Sequence, residues 1–428
     1  MKIFFDVIGC RLNQSEVEGF ANVFRALGHH VVGDPSHADL AIVNTCAVTV
    51  KAAADSRKKL RRAGRLGAPR VIATGCWATL FPQEARALPG VTRVCTNDEK
   101  HHLVTDILAL NPETALDLQL VREPLPGDRA RTRAFIKVQE GCDNHCTYCI
   151  TRMARGKSCS RKLSEIQRDI QAAVAGKAKE IVLTGVQLGA WGRDLAPPKE
   201  LENLLEGVLK LDGFERLRLS SIEPWDFPHE LLDFWKGSRL CRHLHIPLQS
   251  GSDATLRAMG RPITTGIFVD LINSIRRVVP EIAITTDIIT GFPGETENDF
   301  AETKAFIHRM DFAGGHVFTY SPRPGTAAYH IKPRVPVKIA KARNAALREI
   351  FMESGHEYRD KFIGTQIPVL WESHHQANDY SSQISGLTDT YIRVYANAGS
   401  EYWNQISMVN LEGHHPQREA LIGQIIDS

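Results

Sequence analysis

Apolar and polar positions in the first 122 residues alternate in short blocks that read as strands followed by amphipathic helices. Residues 2–8 form an apolar run, and a helix opened by the capping-box pair Ser15 and Glu18 follows as far as Gly28. The next strand is 40–43, a basic helix covers 50–66 and a third strand lies at 70–73; 82–88 and 91–94 repeat the alternation. This rhythm predicts an open parallel α/β sheet. From about Arg129 to Gly364 come six further βα units, with strands at 134–139, 180–183, 216–219, 243–246, 282–287 and 316–320. Their helices include 164–175, capped by Ser164 with Gln167, then 201–210 and 265–278. Six such units predict a partial (β/α)6 barrel with its chemistry at the C-terminal ends of the strands. A last helix spans 338–362. The short runs 367–371, 390–395, 405–411 and 421–426 then lack helical periodicity and predict a small antiparallel β-barrel. The expected domains are 1–122, 129–363 and 364–428, with the proline-bearing stretch 120–128 as a linker.

The cysteines add chemistry to this frame. Cys10, Cys46 and Cys76 each fall just past an apolar strand run, 36 and 30 residues apart. Strands of a parallel sheet end at one edge, so these three thiols should meet in space and hold a metal cluster. Three buried core cysteines are the plainer reading, and Cys95 is a further candidate ligand. Cys142, Cys146 and Cys149 form a tight C-x3-C-x2-C run. Three thiolates so spaced suit three corners of an iron–sulfur cube and leave one iron open to a reactant. A zinc knot closed by His145 or Cys159 is the competing reading. Nine cysteines in 428 residues, clustered in this way, fit metal chemistry in a reducing cytoplasm better than a disulfide framework. No stretch reads as a membrane span or a secretory leader.

A net charge of +3 does not by itself announce nucleic acid, but its distribution is uneven. Lys51, Arg57, Lys58, Lys59, Arg61, Arg62, Arg65 and Arg70 face only Asp55, and Arg152, Arg155, Lys157, Arg161 and Lys162 follow the cysteine run. These clusters are candidate polyanion contacts, with a solvated helix face as the alternative for the first. The last 65 residues carry two arginines against seven carboxylates. There Tyr391, Tyr395, Tyr402 and Trp403 are candidates either to stack on bases or to fill the barrel core.

The stretch Gly-Cys-Asp-Asn-His-Cys-Thr-Tyr-Cys-Ile, followed by Ala154-Arg155-Gly156, closely resembles the signature of radical S-adenosylmethionine methylthiotransferases. The resemblance runs through residues 1–122, with Cys10, Cys46 and Cys76 as auxiliary-cluster ligands. It extends to a C-terminal TRAM-like domain at Gly386-Leu387-Thr388-Asp389-Thr390-Tyr391. The segments 44–49, 216–224 and 316–325 are most similar to the class acting on N6-threonylcarbamoyladenosine at position 37 of tRNA, beside the anticodon. The resemblance implies two [4Fe–4S] clusters, S-adenosylmethionine, an electron donor and a sulfur source. It implies transfer of a methylthio group to C2 of the base through an auxiliary-cluster sulfur and a 5′-deoxyadenosyl radical. Tyr148, Thr184, Glu223, Gln249 and Asp287 match positions expected to line the cofactor site. Sister classes act on isopentenyladenosine in tRNA or on an aspartate of a ribosomal protein, and a non-catalytic metal-bearing RNA-binding protein is the reading from another class. Two positions depart from the family pattern: 150–153 lacks the usual proline after the third cysteine, and Trp77 replaces a commoner Tyr or Met.

Overall fold

Along β1 (Lys2–Val7), Ile3 and Phe5 enter one hydrophobic cluster while Phe4 enters another, as the two-residue period of a strand buried on both faces requires. β1 pairs in parallel with β2 (His30–Val32) and β3 (Leu40–Thr45), and the sheet continues through β4 (Val71–Gly75) to β5 (Val91–Cys95) in the order β2-β1-β3-β4-β5. The computed structural model describes residues 1–111, 118–126, 132–237, 239–378 and 381–426. They form two compact units, Met1–Asn144 with Cys149–Gln187 and Trp191–Lys199, and His145–Tyr148 with Leu188–Ala190 and Glu200–Ser428.

In the first unit, β6 (Ala134–Lys137) pairs in parallel with β9 (Glu180–Thr184), while β7 (Gln139–Glu140) and β8 (Cys159–Ser160) form a short antiparallel ladder. The helix after β1 is Arg11–Ala26, so Ser15 and Glu18 lie inside it rather than at its cap. Ser15 Oγ instead accepts the Lys137 amide at 2.9 Å, and Glu18 binds the buried Arg122 at 2.7 Å. Tertiary partners have claimed both side chains. The helix Leu163–Ala175 starts before Ser164 and has no side-chain cap, so the second capping pair fails as well. Arg122 and Leu125 are buried, so the stretch expected as a linker is packed where it is described; 127–128 lie outside the described residues.

The second unit carries β10 (Arg216–Leu219) and a parallel sheet of β11 (His243–His245), β12 (Ala283–Thr290) and β13 (Gly314–Thr319) in that order, with isolated parallel bridges Leu217–Leu240 and Ser221–His245 beside β11. The helix Val337–Asp360 leads to a closed barrel, β14 (Gln366–Asn378), β15 (Ser381–Thr388), β16 (Arg393–Asn397), β18 (Leu421–Ile426) and β17 (Ile406–His414). Its pairs are antiparallel except β16–β18. β15 escapes the sequence pattern because its residues are mostly polar; at its Gly386 a Cβ would stand 2.5 Å from the Leu370 carbonyl oxygen. Arg216 donates to the carbonyls of Leu387 and Pro368, Arg218 to those of Thr388 and Asp389, and Arg242 pairs with the Asp389 carboxylate at 2.7 Å. Tyr391 stacks on His243 at 4.1 Å, and Tyr395 is buried against Arg418. These two rings are therefore committed within the protein, leaving half-buried Tyr402 and Trp403, 37% exposed, as the more open aromatics.

Candidate functional site

Each thiol of the first trio sits on a different strand-to-helix connection of one sheet. Cys10 is the N-cap of the helix that follows β1, Cys46 directly follows β3, and Cys76 begins the helix after β4. Two glycines permit the convergence. Gly9 has φ +101°, and a Cβ there would stand 2.8 Å from Cys46 Sγ; Gly75 has φ +92°, and its Cβ would meet the Thr45 amide nitrogen at 2.5 Å. Both combine a left-handed backbone with a close approach that any side chain would block. Ser56 holds Cys46 from the helix Val50–Arg65, accepting its amide at 3.0 Å and donating to its carbonyl at 3.1 Å.

A buried cation closes this cluster. Arg155 Nε donates to Cys76 Sγ at 3.3 Å, and its other nitrogens reach Glu16 Oε1 at 3.0 Å, Glu140 Oε1 at 2.5 Å and Asn13 Oδ1 at 2.5 Å. Glu16 also takes Lys100 at 2.5 Å and Asn44 at 2.9 Å. Burial alone would lower the basicity of Arg155, yet Glu16 and the thiols hold it well above the ordinary arginine range. Burial likewise works against ionised Glu16, and Arg155 with Lys100 overrides it, holding the carboxyl well below the carboxylate range. Burial, aided by neighbouring Cys76 and Cys10, pushes the Cys46 thiol up to about 12. A metal cluster that takes thiolates would reverse that cost, and Arg155 supplies positive charge beside the sulfurs. Three sulfur donors and a fixed cation at one edge suit an iron–sulfur cube. Cys95 belongs elsewhere: it packs with Phe5 and Ile72, and burial pushes its thiol up to about 11.

Arg155 thus leaves the basic cluster expected to grip a polyanion, and so does Arg161, bound to Asp169 at 2.7 Å and Glu165 at 3.4 Å. On the basic helix, Lys59 turns inward to Asp6 and Arg57 lies over the Trp77 ring. Lys51, Lys58, Arg61, Arg62 and Arg65 remain exposed.

The second trio is shaped by its own backbone. In the first unit, the amides of Asn144 and Thr151 donate to Cys142 Sγ and Cys149 Sγ at 3.4 and 3.5 Å. Gly141, at φ +69°, lies so close to the Lys157 carbonyl that no Cβ fits. Cys159 is exposed on β8. In the second unit, the segment bearing Cys146 is pinned at Thr147, whose amide donates to the Met259 carbonyl and whose carbonyl accepts from Ala328, both at 2.8 Å.

The five expected cofactor residues fall into three settings. Tyr148 and Glu223 meet at buried Arg261, which donates to Glu223 Oε2 at 2.7 Å and Tyr148 Oη at 3.4 Å and lies over Trp225. Glu223, Tyr148 and Cys146 raise the Arg261 guanidinium against its burial. Gln249 and Asp287 are neighbours: the Gln249 amide donates to the Asp287 carbonyl at 2.8 Å, and Gln249 adopts φ +79°, a conformation glutamine rarely takes. The Asp287 carboxylate holds His245 at 3.3 Å and His316 at 3.2 Å, which keep it well below the carboxylate range despite burial. Thr184 is buried in the first unit, where its carbonyl accepts from Val138. Sequence reasoning passed over Arg261, because an isolated arginine after Gly260 carries no motif.

The Radical SAM superfamily model matches residues 136–307, and the Uncharacterized protein family UPF0004 model matches 2–96. The threonylcarbamoyladenosine tRNA methylthiotransferase MtaB of Thermotoga maritima is 38% identical, covering 91% of this chain and 89% of the relative. MtaB of Bacillus subtilis is 32% identical over 99% of this chain and 97% of its own length. The tRNA-2-methylthio-N(6)-dimethylallyladenosine synthase of Clostridium tetani is also 32% identical, over 90% of this chain and 88% of its own. Among solved structures, the radical S-adenosylmethionine methyltransferase TsrM of Kitasatospora setae shares the fold, with TM-score 0.55 and 15% identity over 77% of each chain. With relatives this similar along nearly its whole length and the Radical SAM model matched across its centre, the chain belongs to the radical SAM methylthiotransferase family.

Proposed function

We propose that this chain transfers a methylthio group to C2 of N6-threonylcarbamoyladenosine at position 37 of tRNA. One observation carries the reading: three thiols from separate connections converge around buried Arg155, in a chain that also holds the C-x3-C-x2-C loop. The family brings S-adenosylmethionine and a [4Fe–4S] cluster, for which Cys142, Cys146 and Cys149 are the proposed ligands. Cys10, Cys46 and Cys76 would hold the auxiliary one. When bound, these clusters supply the electron that cleaves the S-adenosylmethionine sulfonium and the site where sulfur is methylated.

The chain's own residues do the rest. Arg155 fixes Cys76 and shields the Glu16 carboxylate from the sulfurs. Arg261 orients Glu223 and the Tyr148 ring to bind S-adenosylmethionine, with Gln249, Asp287 and Thr184 as further contacts. The exposed cations of the basic helix grip tRNA phosphates. An electron donor and a sulfur source complete the cycle, which we place in the cytoplasm; among the described residues no helix is long and apolar enough to cross a membrane.

Nucleoside analysis of tRNA from a deletion strain tests the assignment. Threonylcarbamoyladenosine lacking its methylthio group should accumulate. Loss of methylthio-dimethylallyladenosine instead would favour the second reading, which relatives such as the Clostridium tetani synthase support by similarity. Charge reversal at Lys58, Arg61 and Arg62, with Arg57 left on Trp77, should weaken tRNA binding and flatten its salt dependence; unchanged affinity across a salt series would overturn that placement.

A further inference from the structure

Away from both cysteine trios, three donor side chains of the second unit meet where the long helix adjoins the barrel. His356 and Asp360 lie one turn apart on the helix Val337–Asp360, hence on one face, and His414 ends β17. His356 Nδ1 stands 3.2 Å from Asp360 Oδ2 and His414 Nε2 2.6 Å from Oδ1. One ligand atom from each residue lies within 4.8 Å of the others, and the two imidazole rings stack at 3.7 Å, 11° from parallel.

We propose that His356, Asp360 and His414 bind one divalent cation of the zinc class, fastening the helix to β17. The donor set argues for that class. Two imidazole nitrogens and one carboxylate oxygen can each approach zinc at about 2.0–2.2 Å, leaving a fourth position for water. Magnesium and calcium favour oxygen-only shells, which this trio does not offer. Both rings already face one carboxylate, so the ion would take the place of the two protons that bridge them to it, and it would open the stack, because a metal lies in the plane of each imidazole that binds it. The location gives binding a mechanical consequence. Tyr358 and Phe362 pack into the barrel core beside the trio, and the Gly364 amide donates to the Leu411 carbonyl at 2.7 Å, so the ion would close the outer edge of an existing joint.

The proposal is independent of the reaction above, and its test does not read activity. The full chain is taken with both clusters assembled, so that the cysteine ligands are engaged, and is titrated with Zn(II) and Co(II). Metal analysis should find one zinc beyond the cluster iron. Co(II) should show visible bands of nitrogen and oxygen ligation without thiolate charge transfer. Zn(II), but not Mg(II) at the same concentration, should raise Tm. His356→Ala and His414→Ala should abolish all three signals, and Asp360→Asn should weaken zinc binding at least tenfold with an unchanged circular dichroism spectrum. Absence of the additional zinc, thiolate bands in the Co(II) spectrum, an equal response to Mg(II), or wild-type affinity in these variants would overturn the site.

Discussion

Cys142 and Cys149 receive hydrogen bonds from amides two residues further along the chain, whereas Cys76 receives its own from a guanidinium 79 residues away. The loop of the first pair is shaped by backbone, with a glycine where a side chain would strike the Lys157 carbonyl. The trio Cys10, Cys46 and Cys76 depends on long-range side chains, above all Arg155 and Glu16. A trio supported by its own backbone should tolerate loss of any distant partner. One supported by a buried ion network should fail when the network loses a member, because the charge left behind has no water to solvate it.

Removing a ligand from either trio should have the largest effect. Cys46→Ala should halve the bound iron and abolish methylthio transfer while reductive cleavage of S-adenosylmethionine persists. Cys146→Ala should halve the iron and abolish both. If Cys46→Ala also stopped cleavage, the two trios would not be separable. Next comes Arg155→Ala, which leaves Glu16 with Lys100 as its remaining close buried cation and should cost roughly 2–3 kcal/mol in urea denaturation, with iron at Cys10, Cys46 and Cys76 lost before iron at the C-x3-C-x2-C loop. Arg155→Lys keeps the charge without the fork and should fall between. In the second unit, Glu223→Gln removes one charged partner of Arg261 and should weaken S-adenosylmethionine binding by about tenfold, roughly 1.4 kcal/mol by calorimetry. Equal affinity would leave Arg261 a purely structural role. The smallest change is Asn97→Ala. Its Nδ2 donates to the Ala154 carbonyl at 2.6 Å beside Cys76, and its loss should cost about 1 kcal/mol without altering signature iron.

What the sequence disclosed follows the same division. Strand rhythm placed Cys10, Cys46 and Cys76 at one sheet edge, because the period of the pattern and the parallel topology together determine where strands end. The C-terminal barrel was legible from its apolar runs, apart from polar β15. Ion partners were not. Arg155 stands in a run of exposed-looking cations, and although it falls in the Ala154-Arg155-Gly156 motif, nothing in that motif says that its guanidinium will be buried against Glu16. Ser15 and Glu18 imitate a capping box because the same side chains that cap helices also bind distant backbone and arginine. Tyr391 reads equally well as a base platform until His243 is found stacked on it.

Arg155 follows Cys149 by six positions, on the same stretch of chain, yet its guanidinium completes the surroundings of Cys76. The amino-terminal sheet therefore does not complete the surroundings of its three thiols by itself. Cut after position 122, it would keep its three sulfurs and the Lys100–Glu16 pair but lose the guanidinium that bridges Glu16 to Cys76, and would hold the proposed iron less firmly. Assembly of the auxiliary cube proposed above would consequently have a direction: the polypeptide must extend past the C-x3-C-x2-C loop and seat that arginine before Cys76 has its finished surroundings.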